Sequence, residues 1–69
     1  MTRTVHVDGM MCNMCEKHVK KALEKIDGIT SAEVSHEKGT AVIEETREVP
    51  AADLEKAVAD AGYKFVSVE

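Results

Sequence analysis

The 69-residue sequence contains no tryptophan, one tyrosine, one phenylalanine and one proline. With aromatics so scarce, the core has to be built from Val, Ile, Leu, Ala and Met, and a stacking platform for single-stranded nucleic acid lacks its rings. Positive charge is also short. Nine Lys and Arg face thirteen Asp and Glu, leaving a net charge of −4, which is the wrong sign for a phosphate-binding surface. No apolar run approaches the ~20 residues that cross a bilayer, and Met1–Asp8 lacks the apolar stretch of a secretory signal. These absences predict a cytoplasmic chain with no nucleic-acid partner and no direct membrane insertion. The length leaves room for a single domain over residues 1–69 and excludes a two-domain enzyme.

Enough apolar residues are present to fold, at 43% hydrophobic against 32% charged. Residues 3–8 alternate, with Val5 and Val7 on one face and Thr4, His6 and Asp8 on the other, the period of a half-buried strand that Gly9 ends. Cys15, Val19, Ala22, Leu23 and Ile26 then recur along one helical stripe. Asn13 with Glu16 three residues on resembles a capping box and places the helix start between the two cysteines, while Asp27-Gly28 stops the helix.

Ala32 and Val34, the turn Glu37-Lys38-Gly39 and the run Thr40–Glu44 read as a β-hairpin. Pro50 suits the first turn of a second helix carrying Leu54, Ala57, Val58 and Ala61 on one stripe, and Gly62 ends it. Residues 65–68 are a final strand. Strand, helix, hairpin, helix and strand, joined by right-handed crossovers, predict an α+β fold: a ferredoxin-like βαββαβ sandwich whose four-stranded antiparallel sheet carries two helices on one face.

The chemistry lies in Gly9-Met10-Met11-Cys12-Asn13-Met14-Cys15, between the first strand and the first helix. A disulfide across so short a loop contributes little to folding, so Cys12 and Cys15 read as chemical groups. Two thiolates at this spacing suit a soft ion of low coordination number such as Cu(I), and a helix N-terminus favours the thiolate form. A closed zinc site needs four ligands, and His6, His18 and His36 do not form a second paired motif. A dithiol redox pair is the stronger rival, because thioredoxin-like proteins also open a helix with C-x-x-C. Those folds place a proline beside the disulfide, whereas Pro50 heads the second helix here.

The G-M-x-C-x-x-C run, the order of elements and Ala61-Gly62-Tyr63 after the second helix resemble the heavy-metal-associated domain family, and among its members the bacterial copper chaperones. The resemblance covers nearly the whole chain. It implies that Cys12 and Cys15 are near-linear Cu(I) ligands, that the chain is a metallochaperone and not an enzyme, and that metal moves by thiolate exchange through three-coordinate intermediates. The implied partner is the metal-binding domain of a copper-transporting P-type ATPase, with a copper-responsive repressor as a further candidate. Met10 matches the family methionine that supports the loop from the core, and Tyr63 the tyrosine that shields the metal. Met11 stands where threonine is usual and Met14 is an addition; each is a secondary candidate for a weak extra sulfur or a soft docking surface.

Alternatives stay open. The chain reads also as an excised domain of a heavy-metal ATPase, although an initiating Met1 and a fold ending near Glu69 favour a stand-alone protein. Hg(II) or Zn(II) could use the same cysteines, with Asp8 as the nearby carboxylate for a zinc-type site. His18, one turn beyond Cys15, is expected to face solvent, and neither His6 nor His36 has an evident partner. Residues 1–35 carry five basic and five acidic side chains, against four and eight in residues 36–69. Lys17, Lys20, Lys21 and Lys25 make the first helix a solvated face or a basic strip for an acidic partner. The apoprotein is expected to be a monomer, and copper loading to offer a route to dimers that share ions.

Overall fold

A computed structural model describes residues 2–11 and 13–69. Strand β1 (Thr2–Asp8) leads to helix α1 (Asn13–Glu24), the hairpin β2 (Ile29–Ser35) and β3 (Thr40–Glu45), helix α2 (Ala51–Asp60) and strand β4 (Lys64–Val68). The sheet order is β2-β3-β1-β4, antiparallel at every pairing. This is the expected βαββαβ sandwich. Among the described residues no helix is long and apolar enough to cross a membrane.

Both helices bury the predicted stripes. Val19 and Leu23 of α1 and Leu54 and Val58 of α2 are buried in one cluster with Val5, Val7, Ala32, Ala41 and Ile43 of the sheet. Cys15, Ile26, Val34 and Ala57 pack at its margin. Helix α1 ends at Glu24, ahead of the expected Asp27-Gly28 stop, and closes with a tighter turn in which the Ile26 N–H reaches the Leu23 carbonyl at 3.1 Å. Pro50 is the residue before α2, with its carbonyl accepting from the N–H groups of Asp53 and Leu54. Its missing N–H costs nothing there.

Two bulges explain core residues that strict alternation misses. Val7 pairs with Phe65 while His6 pairs with Ser67, so Val66 is the extra residue in β4. Phe65 and Val68 are three apart and would lie on opposite faces of a regular strand, yet both pack on the core because the bulge resets the alternation. Ile29 and Ala32 share the inner face for the same reason, the register slipping between Ile29 and Ser31.

At the end of the sheet remote from the cysteines, Glu45 is a buried carboxylate. It continues the inward series Ala41, Ile43, Glu45 along β3. Its Oε2 accepts the Val49 N–H at 3.0 Å, its Oε1 lies 3.4 Å from the Arg3 guanidinium, and the same guanidinium nitrogen donates to the Val49 carbonyl at 3.0 Å. Arg3 and Glu45 thereby fasten the segment that leads into α2. Removing one partner of a buried pair strands the other charge, at about 3 kcal/mol or somewhat less because Arg3 is partly exposed. Arg3→Met is expected to lower the unfolding free energy of the metal-free protein by that amount, read in urea as a lower midpoint with an unchanged slope. An unchanged midpoint would show that the pair does not hold this segment.

Candidate metal centre

The cysteine-bearing segment leaves the central strand β1 at Gly9, whose φ of +97° is open to glycine and strained for other residues. The Asp8 carboxylate accepts the Gly9 N–H at 3.0 Å and so is engaged in the turn itself. Met10 then turns inward and is buried in the core cluster. Met11 and Met14 go the other way, 84% and 59% exposed. Cys12 lies outside the described residues. Cys15 is half-buried in the first turn of α1, at the margin of the core and four residues before the buried Val19. The stripe that packs the helix also fixes where this sulfur sits.

Helix α2 ends so as to bring Tyr63 to the same region. Gly62 adopts φ +95°, its N–H bonds to the Ala59 carbonyl at 3.0 Å, and the Tyr63 N–H reaches the Val58 carbonyl at 3.1 Å. This pair of bonds is a Schellman closure, and it fixes the Tyr63 backbone. The ring is half-buried against the core, and its Cδ1 would lie 3.8 Å from a Cβ placed on Gly9.

The three histidines all have partners. His18 faces solvent as expected, but its Nδ1 is 3.3 Å from the Tyr63 hydroxyl. His6 Nε2 lies 2.9 Å from the Glu69 carboxylate on the exposed face of the sheet. His36, at the head of the hairpin turn, binds Glu16 twice: Glu16 Oε2 accepts the His36 backbone N–H at 2.7 Å and lies 2.6 Å from Nδ1. This oxygen of Glu16, the residue that the sequence pairs with Asn13 in a capping box, therefore serves the hairpin. The result is a brace from the residue next to Cys15 to the β2–β3 turn. Sequence periodicity carries no signal for a contact between residues so far apart in the chain. Among the described residues no three His, Cys, Asp or Glu side chains gather into a metal-binding group.

The hydrogen bonds from His36, the backbone N–H foremost and then the ring, hold the Glu16 carboxyl below its ordinary value, with partial burial opposing them. A depressed carboxylate contributes stability above the pKa of the unfolded chain and loses it as the pH falls through the folded value. For the metal-free protein, Glu16→Gln is expected to flatten the acid limb of stability against pH below the ordinary carboxylate range near 4.5, followed by urea unfolding at stepped pH. An acid limb identical to that of the parent protein would mean that the brace contributes nothing.

Residues 4–64 match the heavy-metal-associated domain family. A mercuric reductase from Shigella flexneri is 47% identical over 62 residues, covering 88% of this chain but 11% of the reductase. A copper chaperone CopZ from Staphylococcus aureus is 38% identical over 63 residues, covering 90% of this chain and 93% of the chaperone. Among solved structures, a CopZ metallochaperone superposes with a TM-score of 0.87 at 34% identity, over 96% of this chain and 100% of the other. The N-terminal domain of a potential copper-translocating P-type ATPase from Bacillus subtilis, in its Cu(I)-loaded state, gives 0.77 at 34% identity, over 94% of this chain and 85% of that domain.

Proposed function

The chain belongs to the heavy-metal-associated domain family, and from that premise we propose that it is a Cu(I) metallochaperone. In this reading Cys12 and Cys15 hold one ion as paired thiolates, and the chain has no catalytic activity of its own. The observation that carries the proposal is the match to copper chaperones over nearly the full length of both chains. The chain spans about a tenth of the length of the mercuric reductase it matches.

The geometry suits a carrier. Tight binding needs soft donors of low coordination number, and release needs a site that another molecule can reach. Cys15 stands in the first turn of α1, and the neighbouring Met11 and Met14 are exposed to solvent. An incoming partner thiolate attacks the bound ion, a three-coordinate species forms, and one thiolate of this chain leaves. Repeating the step moves the ion with no change in its oxidation state. The partner that fits is the metal-binding domain of a copper-transporting P-type ATPase, a reading supported by the likeness to such a domain. The exposed Lys17, Lys20, Lys21 and Lys25 along α1 would steer a partner whose docking face is acidic. A copper-responsive repressor and a copper-bridged dimer are further members of the same proposal, and the cytoplasm is its setting.

The second reading is a Hg(II) carrier, favoured by the 47% identity to a mercuric reductase segment; the same two thiolates would serve. Anaerobic competition of the reduced protein against coloured chelators separates the two. The expected result is tight one-to-one Cu(I) binding that far exceeds Zn(II), and a loss of at least about a hundredfold in affinity, ~2.7 kcal/mol, in each of Cys12→Ser and Cys15→Ser with the fold retained. Tight binding kept by both variants would refute the site, and weak Cu(I) binding with tight Hg(II) binding would transfer the assignment to mercury.

A further inference from the structure

His18 and Tyr63 have a role that follows from where they touch the cysteine-bearing segment. That segment runs from Gly9, where the chain leaves β1, to His18, one turn into α1 beyond Cys15. Tyr63 reaches both of its ends. The ring stands beside Gly9, its Cδ1 3.8 Å from where a Cβ on Gly9 would be, and the hydroxyl meets the His18 ring at 3.3 Å. Its backbone is already fixed by the Schellman closure of α2. What remains is rotation about the side-chain torsions, and of the bonds described at Tyr63 the one to His18 restrains the hydroxyl end of the ring.

We propose that His18 is a positioning residue: by holding the Tyr63 hydroxyl it clasps together the two ends of the segment that carries both cysteines. The inference rests on the carrier reading for its effect on metal but not for the clasp itself. A segment held at both ends explores fewer arrangements, so less ordering is left for a bound ion to impose. Opening the site for exchange then requires the clasp to yield. His18 touches no metal in this account and acts through Tyr63.

The bond is exposed, so its effect is modest. A net contribution typical of a single hydrogen bond corresponds to about a three- to tenfold change in the rate at which Cu(I) passes to an excess of a coloured chelator. His18→Ala is expected to speed that transfer by this factor, Tyr63→Phe by at least as much, and the double variant no more than Tyr63→Phe alone, because His18 acts only through the Tyr63 hydroxyl. His18→Asn places an amide atom where Nδ1 stands and is expected to restore the slow rate. Additive effects in the double variant, or an unchanged rate in His18→Ala, would overturn the inference.

A second readout needs no metal. In the NMR spectrum of the metal-free protein, His18→Ala is expected to shift the Gly9 amide and the Tyr63 ring signals, and His18→Asn to return them toward their original positions. Unshifted signals in His18→Ala would refute the clasp even if Cu(I) binds tightly. If the parent protein binds neither Cu(I) nor Hg(II), the carrier reading falls by itself, and the metal-free spectra still decide whether His18 holds Tyr63.

Discussion

Burial of the Met10 side chain ties the cysteine-bearing loop to the rest of the molecule. The strand before it is hydrogen-bonded on both sides, by β3 and β4, and the helix after it is anchored by Val19 and Leu23. Between these fixed points the chain needs one inward side chain to set its path. Met10 supplies it, entering the same cluster as Val5, Val7 and Val19. Burying such a side chain is worth roughly 1.5–3 kcal/mol, enough to favour one loop path over many. An unbranched thioether fits the irregular gap at the end of a sheet better than a branched chain. With Met10 inward, its neighbour Met11 stands almost wholly in solvent.

Around that anchor the polar contacts are divided between two ends of the fold. The Arg3–Glu45 pair closes the end away from the cysteines, where the carboxylate is buried and the segment before α2 is held through Val49. At the cysteine end the Glu16–His36 and His18–Tyr63 contacts lie nearer to water. Contacts of that kind are individually weak.

The backbone by itself does not select the metal. Paired thiolates on a strand-to-helix loop satisfy any soft ion of low coordination number, and the relatives include both copper chaperones and mercuric reductases. Asp8, the nearby carboxylate, is engaged with the Gly9 N–H, and the Met11 and Met14 side chains are exposed.

What the sequence determined was everything set by local spacing. Val5 and Val7 at a period of two, Cys15, Val19 and Leu23 at helical spacing, and glycines at the turns state their elements without reference to the rest of the chain. Those elements then admit few topologies. The inward Met10 was legible by another route, the resemblance of the G-M-x-C-x-x-C run to the family motif, and its burial agrees. Glu45 was legible in part, since it continues the alternation of Ala41 and Ile43, but nothing local says that Arg3 lies opposite to receive it. Only the tertiary structure decided the bulges at Val66 and near Ile29, the brace between Glu16 and His36, and the meeting of His18 with Tyr63. Each joins residues that are distant along the chain, or depends on which of two faces a packed core can accept. Such choices are made by the sum of the burial and hydrogen bonding of the whole fold, and no window of the sequence contains them.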